Sequence, residues 1–195
     1  MDFIKVWLTG YVNPSRMIDQ LVAKPAPQWG IFAQLLRGLM DSIFIYLPVY
    51  LMGRVPPTPS FLPFFPTESY YFVLIWIAPF VLIFILLMQA VVIHVILRLT
   101  NRKSDIDQII NLTGMAALIV GSVLIPWDWA MFTLGMADQY ILGITHLFIS
   151  LWAAVIIVIG LRKLFSVPLW LGNVLGIIPI PIALPFAIMF MRSPF

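Results

Sequence analysis

Apolar positions in this chain come in five long runs, about Ile31–Met52, Tyr71–Leu97, Ile106–Pro126, Ile141–Leu161 and Pro168–Met191. A helix of roughly 20 apolar residues crosses the hydrocarbon of a bilayer, and each run reaches that length. Alternation with a period of two is absent, which argues against a membrane barrel. The pattern predicts an all-α integral membrane protein with five transmembrane helices. The second run contains Pro79, so a tilt or kink is expected there. Ahead of the first run, "NPSRMIDQLVAK" (Asn13–Lys24) has a different rhythm. Met17, Ile18, Leu21 and Val22 share one helical face, and Arg16, Asp19, Gln20 and Lys24 the other. Asn13 suits the cap and Pro14 the first turn. This reads as an amphipathic helix lying in the membrane interface. Residues 1–28 are then an N-terminal arm, and residues 29–195 a five-helix transmembrane domain.

The connections differ in character. "VPPTPSFLPFFPTES" is too rich in proline for a helix and too apolar for a solvated loop, so it is expected to fold over one mouth of the bundle. "SDID" (Ser104–Asp107) resembles a capping box opening the third span, with both acids at the positive end of the helix dipole. Pro179, Pro181 and Pro185 fall in the middle of the fifth run and predict a broken helix there. Carbonyls freed by such a break need partners from other helices, water or a ligand.

Composition sharpens this picture. The chain has 195 residues, 62% hydrophobic and 10% charged. A soluble domain has about 45–50% apolar and about 25% charged residues. With no cysteine, disulfides, thiolate metal sites and thiol nucleophiles are excluded. The start of the chain lacks the pattern of a cleaved signal peptide. Net charge +3, with no basic stripe, gives no reason to expect nucleic acid as a partner.

Eight Lys and Arg residues lie on one side of the five spans: Lys5, Arg16, Lys24, Arg98, Arg102, Lys103, Arg162 and Lys163. Only Arg54 and Arg192 lie on the other, which predicts a cytoplasmic N-terminus and an external C-terminus.

The candidate chemistry is a set of polar residues within the spans. Arg37 and Asp41, in "LLRGLMDSIFIYLP", are four residues apart and about 6 Å along one helix face. Alone, each charge costs about 2.5–3.5 kcal/mol near the bilayer centre; paired and turned into the bundle, they insert. Gln89, His94, Asn111 and Asn173 are expected to join them in the cytoplasmic half. The cluster admits two readings, a ligand or proton site, or hydrogen bonds that fix helix order. His146 enters from the other side, about 15 Å in depth from His94, too far for one metal ion. Asp128, Asp138 and Glu68 read as solvated loop acids, with a weak cation site as the sharper alternative. No metalloprotease, nucleophile-elbow, phosphate-loop or dinucleotide motif occurs. The sequence therefore assigns no catalytic, cofactor-binding or metal-binding residue.

Three segments in order, "NPSRMIDQLVAKPAP", "HVILRLTNRKSDIDQIINLTGMAALI" and "SLWAAVIIVIGLRKLFSVPLWLGNVLGIIPI", resemble the Yip family of Ypt/Rab-interacting membrane proteins, most closely its prokaryotic members. The resemblance covers nearly the whole chain. It implies a small helical bundle that works through lipids, other membrane proteins or self-association, with eukaryotic members taking part in vesicle traffic. It transfers no functional residue. The expected function is non-enzymatic organisation of partners; the alternative is a small transporter or channel using the polar cluster and the broken fifth span.

Overall fold

The computed structural model describes residues 3–23, 27–56 and 66–190, with the side chains of residues 139 and 188–190 excepted. The described residues form helices and connecting turns, with no strand. Five helical segments are long and apolar enough to cross a membrane: Gln28–Leu51, Thr67–Leu99, Ile106–Thr133, Tyr140–Phe165 and Leu169–Ala187. The first comprises α3 (Gln28–Asp41), a π-helical turn (Ser42–Tyr46) and α4 (Leu47–Leu51). The others are α5 (Tyr70–Leu99), α6 (Ile106–Thr133), α7 (Gln139–Phe165) and the pair α8 (Leu169–Ile177) and α9 (Pro179–Phe190). The end of the bundle holding Gln28, Leu99, Ile106 and Phe165 is called the near end below, and the opposite one the far end.

Helix α6 is central: 78% of its apolar stretch is buried, against 22% for α7. It packs on α3, α5 and α7, while α8 packs on α7. Glycines set how close these helices come. A Cβ on Gly30 would lie 2.0 Å from the Ile110 carbonyl oxygen, and one on Gly114 2.3 Å from the Gly30 carbonyl oxygen. At mid-length, a Cβ on Gly38 would lie 2.5 Å from Cα of Pro79. Pro79 thus sits inside an uninterrupted α5, at the place where its approach to α3 requires the glycine at 38.

The N-terminal arm holds two helices, α1 (Phe3–Val12) and α2 (Pro14–Val22), where the polarity pattern predicts one. The predicted cap is present, with the Asn13 side chain accepting from Arg16 N at 3.0 Å. The buried face of α2 is Met17, Ile18, Gln20 and Leu21; Val22 is exposed. This face is packed on α6 and α7, with Met17 and Ile18 fully enclosed. Lys163 of α7 fastens α2 from outside: its Nζ lies 2.7 Å from Asp19 Oδ1 and donates to Ser15 Oγ at 2.9 Å. Helix α1 runs along α6, with Phe3 against Trp29 and Phe32, and Gly10 against Ile119.

The connections explain themselves locally. Asn101 takes a left-handed φ of 56°, and Arg102 N bonds back to Leu97 O at 2.9 Å, closing α5. Asp105, not Ser104, caps α6: its carboxylate accepts from Asp107 N and Gln108 N. The fifth span is interrupted at Ile178 alone. Pro179 and Pro181 fall in the first turn of α9, where no intrahelical donor is needed, and only Pro185 lies deeper. The proline-rich cover over one mouth, expected from residues 55–69, falls largely on residues 57–65, outside the described residues.

Candidate functional site

The π-helical turn begins directly after Asp41. Pro48 has no N–H for the carbonyl of Phe44, four residues earlier. The Trp129 indole of α6 supplies the donor instead, Nε1 to Phe44 O at 2.8 Å. Such widened turns recur at functional sites and re-aim the side chains around them. Here Asp41 before the turn and Ser42, Ile45 and Tyr46 within it are buried, while Ile43 and Phe44 are exposed.

Arg37 and Asp41 meet as predicted. Arg37 Nε lies 3.8 Å from Asp41 Oδ2, and the two side chains are 15% and 12% exposed. That separation is an ion pair without a close hydrogen bond. The guanidinium turns instead to α6, where Nη1 donates to Ala117 O at 3.3 Å. It fits because residue 121 is glycine: a Cβ there would be 2.5 Å from Arg37 Nε. One turn toward the near end, Gln34 Nε2 donates to Leu82 O of α5 at 3.1 Å. Arg37 therefore anchors α3 to α6, and Gln34 anchors α3 to α5.

The other predicted members are placed elsewhere. Asn111 Oδ1 accepts from Gly30 N at 2.8 Å; that amide is in the first turn of α3 and has no intrahelical acceptor. His94 Nδ1 is 2.8 Å from Ser104 Oγ and fastens the turn between α5 and α6. Gln89 Nε2 donates to Pro179 O at 2.9 Å, tying α5 to the start of α9. Asn173 is exposed on α8. The expected single cluster is thus three separate inter-element ties, an exposed residue, and the Arg37–Asp41 pair.

What the structure adds to that pair comes from the far end. Pro126 does not end the third span: α6 continues to Thr133 with Pro126 inside it, which carries Asp128 into the bundle. Asp128 is buried rather than a solvated loop acid, and its Oδ1 lies 2.5 Å from His146 Nε2 of α7. Asp138 does lie in a loop, where it caps α7 by accepting from Tyr140 N at 2.8 Å. Asp41 is within electrostatic reach of Arg37, Asp128 and His146, and Tyr46 within reach of Asp41, Tyr70 and Asp128. The two tryptophans beside Asp128 were its available sequence signal. Trp127 donates to Thr145 Oγ1 at 3.0 Å and Trp129 to Phe44 O, so both indoles bond within the bundle.

No family model, curated protein or solved structure matches this chain. The site is therefore defined by its own chemistry: a guanidinium, two carboxylates, an imidazole and a phenol, drawn from three adjoining spans. The cavity beside it, lined by Asp41, Tyr46, Leu74, Ala78, Leu82 and Phe186 among others, measures about 20 Å³. That is about the space of one water molecule. Among the described residues no group of three or more His, Asp or Glu side chains is placed to hold a metal ion.

Proposed function

We propose that this chain is a non-enzymatic integral membrane protein that organises protein or lipid partners, as the resemblance to the Yip family implies. The observation that carries this reading is the enclosure of the Arg37–Asp41 pair: both side chains are largely buried, and the Arg37 guanidinium is set against Ala117 and Gly121 of α6. A space of about 20 Å³ admits no solute larger than water. The charged pair then serves helix order. The working surface lies outside, for example the open groove formed by α1 and the start of α2, where Lys5 and Arg16 stand beside Thr9 and Asn13. Two cations and no acid on a largely apolar wall suit anionic headgroups. Orientation follows from the Lys and Arg count, with the near end cytoplasmic.

The test uses the cysteine-free background. Single cysteines at positions 37, 41 and 94 are exposed in vesicles to a membrane-impermeant thiol reagent from each side. We expect no labelling at 37 or 41 in folded variants, and no ion or solute flux in reconstituted vesicles. Labelling at those positions, with a flux that Asp41→Asn abolishes, would instead establish the transporter reading. That second reading draws on one observation, the split between α8 and α9 with Gln89 bonded at Pro179.

A further inference from the structure

The charges around Asp41 do not balance. Arg37 is a permanent cation. Asp41 and Asp128 as carboxylates bring two negative charges, so the set carries a net charge of minus one with His146 neutral. Every member is in the interior or at its edge: side-chain exposures are 15% for Arg37, 12% for Asp41, 11% for Asp128 and 34% for His146. Tyr46 and Tyr70, the other titratable groups facing the set, are buried and neutral as phenols, and so contribute no charge. An uncompensated charge in a low-dielectric interior is expensive, and one proton removes it. In the 2.5 Å contact between His146 Nε2 and Asp128 Oδ1 the ring N–H can donate to the carboxylate, and the imidazole's other nitrogen can then take the further proton.

We propose that Asp41, Asp128 and His146, set against Arg37, form a proton-binding site that holds one proton in the folded protein. The proton comes from the aqueous phase at the far end and exchanges through His146. That residue is the most exposed of the set and lies about 10 Å along α7 from its start at Gln139. No bond other than N–H or O–H forms, and nothing is oxidised. The path does not continue to the near end. Past Arg37 the next polar group, Gln34, donates to Leu82 O, the helices then close on the Gly30–Gly114 contact, and Asn111 and His94 beyond it are engaged with Gly30 and Ser104. The arrangement is a one-sided sensor of far-end pH rather than a conduit. Withdrawing the proton leaves a net negative charge among α3, α6 and α7, and strains the packing of those three spans.

The chain contains only two histidines, which makes the site readable. The full-length protein is labelled with ¹⁵N-histidine, placed in lipid nanodiscs near neutral pH, and its imidazole nitrogens are recorded by NMR. His94→Gln assigns the His146 signals. Infrared difference spectra of Asp41→Asn and Asp128→Asn against wild type report any protonated carboxyl group. The expected result is an imidazolium pattern at His146, or a carboxylic-acid band from one aspartate. In Asp128→Asn, where Arg37 and Asp41 already balance, the extra proton is lost and His146 shows the two-line pattern of a neutral ring. A neutral His146 together with two ionised aspartates in the wild type overturns the proposal. So does a proton that persists on His146 in folded Asp128→Asn. The wild-type spectra alone decide the first point, so the proposal stays testable if a variant fails to fold.

Discussion

Asn111 lends its side-chain oxygen to the backbone of another helix. Gly30 N is one of the donors that every helix leaves free in its first turn, and Pro27 at the cap position offers no side-chain acceptor. Asn111 fills that role from α6, in a contact made possible by Gly30 and Gly114. Asn111→Ala leaves a buried N–H unsatisfied and is expected to lower stability by about 1–3 kcal/mol. Asn173→Ala, on an exposed face, should fall within about 0.5 kcal/mol of wild type. Thermal unfolding of the two variants in one detergent checks the pair, and equal losses would contradict this assignment. Which residues were polar within apolar runs was plain from the sequence. Their partners were not, because the partner of Asn111 depends on where α3 begins, and that of His94 on Asp105 rather than Ser104 taking the cap. Asp128 was misplaced for a related reason. A proline removes one backbone donor but need not end a spanning helix.

The four longest spanning segments, from 70 to 165 together with the first near 28–51, were legible as elements because their length and apolar character are imposed by the thickness of a bilayer. Helix α1 was not. Its ten residues, "FIKVWLTGYV", are too short to span and too apolar all round to show a face. Its order comes from packing: Gly10 on Ile119, Phe3 on Trp29, and Tyr11 OH hydrogen-bonded with Ser122 Oγ. Helix α2 was legible, but as an interfacial helix it would have left Met17 and Ile18 facing lipid, whereas both are covered by protein. The arm should therefore open as a unit. Ile18→Ala is expected to cost about 2–5 kcal/mol, felt locally, so that amide exchange rises throughout α1 and α2 while α6 stays protected. Asp19→Asn, which removes only an exposed partner of Lys163, should change exchange little, since such pairs contribute about 0–1 kcal/mol. Uniform exchange in α1, α2 and α6 of the Ile18→Ala protein would mean that the arm is not a separate cooperative unit.

At the scale of the whole molecule, the order of helices around α6 depends on side chains that a spanning helix would otherwise exclude. Leucines and isoleucines pack against lipid tails about as well as against each other, so apolar burial alone does not select one neighbour over another. Arg37 does select: its guanidinium requires a carbonyl and a missing Cβ, and it finds both on α6 at Ala117 and Gly121. If that is the purpose of the pair, the two charges must be worth far more together than apart. Arg37→Met leaves Asp41 buried with its nearest cation gone, and Asp41→Leu leaves Arg37 without its carboxylate. Breaking a buried pair in this way costs about 3–5 kcal/mol. The double variant Arg37→Met/Asp41→Leu leaves neither charge stranded and is expected to recover most of that loss, with a coupling of at least about 2 kcal/mol in a double-mutant cycle. Unfolding of all four proteins in the same lipid–detergent mixture supplies the cycle. Losses that simply add would show Arg37 and Asp41 acting independently. Recovery of stability without recovery of the native helix order, read by cross-linking cysteine pairs across α3 and α6, would show that the pair supplies specificity and that apolar residues can replace only its energy.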